Sequence, residues 1–189
     1  TANMWRITDD FWDSWDALYN MFERCEKWSI HTTAGHFPDA DMLPIGAIRQ
    51  VYNKDNRTNF TEDEQWTMMN LWCIFRSPLM IGGEMTKFDD FTMSLVTNER
   101  LIEMLNCSRH AHQVWRKNFD EESETPILAL EHPQVRRDSD TEGVLWTAMK
   151  DGGGQYAAAF NIGETELDFE IKASDLETEF HCAENIQTG

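Results

Sequence analysis

Apolar positions change their spacing in a regular way over the first 110 residues. Ala2-Asn3-Met4-Trp5-Arg6-Ile7 is a strand-length run that reads as a short buried strand, and Asp9, Asp10 and Asp13 follow it. Trp15, Leu18, Phe22 and Cys25 then recur at steps of three and four, which predicts an amphipathic helix over residues 13–28. Acidic residues at its start suit the positive end of the helix dipole. A second extended stretch is expected at 29–33, followed by a Gly- and Pro-flanked loop over 35–44. Residues 53–61 are polar and read as an insertion. Thr61 and Glu64 form a capping-box signature that opens a helix running through Trp66, Met69, Leu71 and Phe75. Ser77-Pro78 stops it. Leu79-Met80-Ile81 reads as another buried strand ended by Gly82-Gly83, and residues 90–106 read as helix, in one piece or two. Strands alternating with helices predict a parallel sheet, with the acidic residues gathered just past the strand ends.

The spacing changes after residue 112. Residues 144–150 and 155–162 read as strands joined by the turn Asp151-Gly152-Gly153-Gly154. Leu167, Phe169 and Ile171 alternate with Asp168, Glu170 and Lys172, the pattern of a half-buried strand. This part predicts antiparallel β structure, with the acidic stretch 120–125 as a solvated loop. There is no internal repeat.

Composition narrows the function classes. The formal charge of −18 repels phosphate backbones and anionic lipid surfaces, so nucleic acid and membrane are poor partners. It does not disfavour a neutral substrate such as a sugar. No apolar run approaches the roughly 18 residues of a membrane helix. Cys25, Cys73, Cys107 and Cys182 follow no disulfide or zinc spacing and are expected to be mostly buried thiols, which leaves the compartment open. Sequons begin at Asn56, Asn59 and Asn106 and matter only along a eukaryotic secretory route. Eight Trp and eleven Phe can fill a core or stack on sugar faces, and composition does not separate these uses.

Two groups of side chains can carry chemistry. Arg6 with Asp10 four residues on, and Asp9 and Asp13 beside it, offers carboxyls at a strand end that can exchange protons if suitably tuned. The same residues also read as an Asp-rich helix start. Asp39 and Asp41, in Asp39-Ala40-Asp41-Met42, can bind hydroxyls or a cation, or simply cap turns. A calcium loop would need more oxygen ligands at regular spacing. His31 with His36, and His110 with His112, lack a third ligand at motif spacing, so no metal is expected. No phosphate-binding glycine loop and no Gly-x-Ser-x-Gly elbow is present.

Taken in order, Met4-Trp5-Arg6-Ile7-Thr8-Asp9-Asp10-Phe11-Trp12-Asp13-Ser14-Trp15, then Gly35-His36-Phe37-Pro38-Asp39-Ala40-Asp41-Met42-Leu43-Pro44-Ile45-Gly46, then Phe60-Thr61-Glu62-Asp63-Glu64-Gln65, Leu71-Trp72, Ser77-Pro78-Leu79-Met80-Ile81-Gly82-Gly83 and Leu95-Val96-Thr97-Asn98 resemble glycoside hydrolase family 27, the α-galactosidases. The resemblance spans residues 2–105. It implies an α/β fold in which 1–110 are the last three βα units of a (β/α)8 TIM barrel and 111–189 belong to an antiparallel, sandwich-like all-β domain. It implies a retaining hydrolase of terminal α-galactosyl residues that needs no cofactor. Asp10 takes the place of the general acid/base. Arg6, Asp41 and Met42 match sugar-contacting positions, and Asp9 and Asp39 support them. Asp9 stands where a small residue is common, and Phe37 where Trp is frequent. The alternatives on this scaffold are α-N-acetylgalactosaminidase, β-L-arabinopyranosidase or a non-catalytic sugar-binding barrel. The family's nucleophile lies on an earlier strand, and a barrel takes about 250 residues. The chain is therefore expected to be a fragment, inactive alone, whose partner is the N-terminal half of the same barrel. A homo-oligomer is compatible with this reading.

Overall fold

The computed structural model describes residues 2–50, 56–119, 141–168 and 170–176. Elements run β1 (Met4–Arg6), α1 (Trp15–Ser29), β2 (Phe37–Asp39), α2 (Glu62–Phe75), α3 (Asp90–Val96), α4 (Glu99–Cys107), β3 (Ser108–Asn118), β4 (Glu142–Lys150) and β5 (Gln155–Asn161). β1 and β2 are parallel, with Met4 opposite Phe37 and Arg6 opposite Asp39. β3, β4 and β5 form an antiparallel sheet in that order. The fold is mixed α/β, as the spacing predicts.

Several elements follow directly from local chemistry. Ser14 caps α1 by accepting from the Ala17 N–H. Thr61 and Glu64 form the full capping box, with Thr61 N–H donating to Glu64 Oε2 at 2.7 Å and Glu64 N–H to Thr61 Oγ1 at 3.2 Å. Arg76 ends α2 in the left-handed region at φ 68°. The 90–107 stretch divides into α3 and α4 because Asn98 accepts the N–H groups of Arg100 and Leu101 and starts a new helix. The β4–β5 hairpin closes through Gly152, Gly153 and Gly154, all at positive φ, where a side chain would be strained.

Several expectations need correction. The stretch 29–33 is not extended: α1 runs through Ser29, whose hydroxyl donates to Glu26 O, and Thr33 pairs with His36 across a tight turn. The strand is β2, later in the chain. Its central Pro38 has no N–H to give a ladder, which is why the segment reads as loop. Residues 79–81 form no buried strand. Only Leu43 and Ile81 bridge in parallel, and Met80 and Ile81 are 38% and 40% exposed. β1 likewise has its outer residues exposed and only Trp5 half-buried. Residues 166–168 and 170–172 are not in a strand, although Leu167 and Ile171 are half-buried; Phe169 lies outside the described residues. β3 begins earlier than the change of pattern suggests, directly after α4, and shifts register twice, with His110 at φ 54°. The acidic loop 120–125 and Cys182 lie outside the described residues.

One apolar core runs through both regions. Trp28 of α1 meets Trp5 of β1, while Phe22 of the same helix packs edge-on against Phe160 of β5 at 5.0 Å. Phe75 of α2 meets Trp146 of β4. A polar link crosses the same boundary. The Tyr19 hydroxyl donates to Glu142 Oε2 at 2.5 Å, and Arg116 Nε donates to Glu142 Oε1 at 2.5 Å. The Arg116 guanidinium lies 4.7 Å over the Tyr19 ring. Burial and the bond to Glu142 raise the Tyr19 pKa above its ordinary value. Cys25, Cys73 and Cys107 are free. Burial raises the Cys25 thiol well above its ordinary value and pushes Cys73 up to about 12, so neither is a nucleophile.

Candidate active site

The ends of β1 and β2 carry the acidic cluster. The two strands stay in register past β1, because Ile7 N–H donates to Asp39 O at 3.0 Å. This sets Arg6, the last residue of β1, beside the loop after β2. Arg6 Nη2 donates to Asp41 Oδ2 at 2.9 Å and to the Asp9 carbonyl at 2.8 Å. The same nitrogen lies 3.5 Å from Asp10 Oδ1. Asp41 Oδ2 also accepts the Phe11 N–H at 2.7 Å. One guanidinium thus joins the backbone of the 8–14 segment, the Asp10 carboxylate and the loop holding Asp41.

The carboxylates differ in access. The Asp10 side chain is 85% exposed and that of Asp41 13%. A solvent-facing ion pair at 3.5 Å contributes on the order of 0–1 kcal/mol. Asp10 is therefore attached loosely and free to reach a substrate, while Asp41 is held. Asp9 contributes its carbonyl to Arg6, and its residue is exposed. Of the two adjacent acids, Asp10 is the one whose carboxylate pairs with Arg6.

Asp41 sits at φ 79°, a left-handed conformation that costs a non-glycine residue about 1–3 kcal/mol. Its surroundings impose it. Asp39, 4% exposed, accepts the Asp41 N–H at 2.9 Å. Buried Trp72 of α2 donates its indole N–H to Asp41 O at 3.0 Å. Ser77 Oγ accepts the neighbouring Ala40 N–H at 3.0 Å. Met42 is half-buried and lies so close to Gly82 that an added Cβ there would come within 2.8 Å of its Sδ. Gly82 therefore leaves room for the Met42 side chain, while Gly83 leaves room for the Ile45 carbonyl and the Phe88 ring.

A second acid fixes the segment from behind. Asp13, 5% exposed, takes two bonds from Arg49, at 2.6 and 3.0 Å, and the Asn59 N–H at 2.6 Å. Burial raises its pKa, but the Arg49 and Asn59 bonds and the Arg49 charge outweigh that and leave it below the ordinary carboxylate value. Sequence reading singles out Asp13 only as a neighbour of Asp10; it includes Trp72 and Ser77 in the family motifs and Asn59 in a sequon without giving them these roles, and it gives no sign of Arg49. These contacts span 31–46 residues, and no local motif announces them. Phe37 lies in β2 beneath the Arg76 guanidinium, 5.1 Å from its ring centre. His36 Nδ1 contacts the Ala2 carbonyl, and His112 Nδ1 the His110 carbonyl. Among the described residues, no three His, Cys, Asp or Glu are grouped to hold a metal, and no helix is long and apolar enough to cross a membrane.

Comparison with known proteins decides the family. Residues 1–106 match the profile of the melibiase family described as alpha galactosidase A. The chain belongs to glycoside hydrolase family 27. The family match covers every residue of the acidic cluster. A solved GH27 β-L-arabinopyranosidase from Geobacillus stearothermophilus is 46% identical with a TM-score of 0.69, over 86% of this chain and 33% of that one. A solved Bacillus halodurans protein, described provisionally as an α-N-acetylgalactosaminidase, is 43% identical with a TM-score of 0.61, over 82% and 33%. The Arabidopsis thaliana α-galactosidase 2 is 26% identical over 101 residues, which are 53% of this chain and 23% of that protein. This family 27 chain thus spans a third or less of these relatives.

Proposed function

We propose that the whole protein is a retaining glycoside hydrolase in which Asp10 is the general acid/base. The observation that carries this is the placing of Arg6, which binds Asp41 at 2.9 Å and reaches the open Asp10 carboxyl at 3.5 Å. Arg6, Asp41 and Met42 bind the sugar, and Asp9 and Asp39 hold the loops that present them. The segment 1–110 supplies the last three βα units of a (β/α)8 barrel, and the antiparallel region after it starts a second domain. The nucleophilic carboxylate comes from polypeptide outside this chain, in keeping with the greater length of the relatives.

The reaction then has two displacements. The nucleophile attacks the anomeric carbon while Asp10 gives its proton to the departing oxygen, which breaks the glycosidic bond and forms a glycosyl-enzyme. Asp10, now ionised, takes a proton from water as that water attacks, releasing the sugar with its configuration kept. Retaining enzymes place the two carboxyls about 5–5.5 Å apart.

The preferred sugar is a β-L-arabinopyranosyl group, because the β-L-arabinopyranosidase is 46% identical while the α-galactosidase match stands at 26%. An α-D-galactopyranosyl group is the second reading. It has the same ring configuration and adds one hydroxymethyl group. The test is a panel of 4-nitrophenyl glycosides offered to the whole protein, with the first-formed anomer followed by NMR. Turnover of the β-L-arabinopyranoside with retention is expected. Preference for the α-D-galactoside or the N-acetylgalactosaminide would reassign the sugar, and inversion or inertness towards all three would refute the hydrolase reading.

A further inference from the structure

The segment that carries the proton donor alternates in burial along its length. Asp10 is exposed, Phe11 buried, Trp12 exposed, Asp13 buried and Ser14 exposed. Both inward residues are anchored. Phe11 is 2% exposed and packs on Trp72 at 5.0 Å and on Phe60 at 6.2 Å. Asp13 is fixed by Arg49 and Asn59. The Trp12 carbonyl accepts the Ser14 N–H at 2.9 Å, which fixes the turn into α1. The alternation in burial leaves both Asp10 and Trp12 on the outer, solvent-facing side of the segment. Trp12 is 46% exposed, whereas Trp72 and Trp146 are fully buried and Trp5, Trp15, Trp28 and Trp66 are partly buried.

We propose that Trp12 is the platform for the leaving group, a subsite that accepts the aromatic or sugar ring joined to the hydrolysed bond. The inference rests on Asp10 being the acid/base. A proton donor has to lie beside the departing oxygen, so the group bonded to that oxygen extends over the residues flanking the donor on its exposed face. Trp12 is the large apolar side chain there. A ring face on a wet surface, rigidly backed by Phe11 and Asp13, stacks on aryl rings and on sugar C–H faces at small entropic cost. Arg6 and Asp41 lie on the sugar side of Asp10, whereas Trp12 lies two residues further along towards α1. The ligand class is thus the part of the substrate that leaves, and the subsite selects the glycoside's other half.

The experiment uses the whole protein and two substrates with the same sugar. One has a 4-nitrophenyl leaving group and the other is the glycosyl fluoride, whose leaving ion has no ring to stack. Trp12→Ala is expected to lower kcat/KM for the aryl glycoside about five- to tenfold, the size of one stacking contact, and to leave the fluoride unchanged. Trp12→Phe should restore most of the loss. An equal loss on both substrates would mean that Trp12 serves folding or the sugar site, and no loss on either would mean that it touches nothing. Each of these overturns the platform and leaves the hydrolase reading intact. A wild-type protein that turns over neither substrate overturns both.

Discussion

The chain contains two arginine–carboxylate groupings built from the same residue types and used in opposite ways. At the strand ends, Arg6 holds Asp41 and touches Asp10, whose carboxyl is 85% exposed. Between α1 and the antiparallel sheet, Arg116 holds Glu142, which is fully buried, and Tyr19 donates to the same carboxylate. The first grouping leaves one acid free to exchange protons with what comes from solvent. The second satisfies every charge internally and joins a helix to a sheet. Residue identity therefore does not distinguish a chemical site from a structural one, whereas access does.

Three changes would break or sharpen this contrast. The largest effect is expected from Asp10→Asn in the whole protein. It should lower kcat/KM for substrates with poor leaving groups by about 10²–10⁴ while sparing the glycosyl fluoride, and should leave the thermal midpoint almost unmoved, since the side chain is exposed. Near-normal hydrolysis of a poor leaving group would remove Asp10 from the chemistry. Glu142→Ala should do the reverse. It strands Arg116 in the interior and is expected to cost about 3–5 kcal/mol in urea unfolding, with the per-molecule activity of the folded fraction retained. A loss below about 1 kcal/mol would show that the link is relaxed by water.

Asp13 lies between these extremes, buried but next to the site. In the unfolded chain it titrates near 3.8, and in the folded protein it titrates lower. The folded state then binds fewer protons, so its contribution is present above 3.8 and is lost as pH falls through the lowered folded value. Asp13→Asn should cost about 1–3 kcal/mol at neutral pH and flatten the acid limb of a urea midpoint against pH. An unchanged acid limb would assign that limb to other carboxylates.

How much of this was legible depends on the range of the physics involved. The capping box at Thr61, the hairpin at 151–154 and the apolar steps of α1 are local, and each appears in the structure. The sequence leaves the split at Asn98 open because Thr97-Asn98 is only a modest helix breaker. β2 is hidden in the sequence because Pro38 opposes strand formation unless an edge position tolerates it, as pairing with Trp5 does. Residues 79–81 have the composition of a buried strand but pair with Leu43 alone. For the site, motif resemblance named Arg6, Asp10 and Asp41, and the structure brings them together. The resemblance includes Trp72 without a role and does not reach Arg49, because their roles arise from contacts across 31 and 36 residues.

Trp72 carries a consequence that reaches beyond the core it fills. Its ring packs on Phe11, the residue after Asp10, and its indole N–H holds the Asp41 carbonyl. A single interior side chain thereby sets the spacing of the two segments that carry Asp10 and Asp41. Phenylalanine would keep the ring but drop the N–H, so packing and registration separate at this position. Enzymes built this way can acquire kinetic defects from lesions that never approach the solvent, and a search for specificity determinants confined to the surface would overlook them.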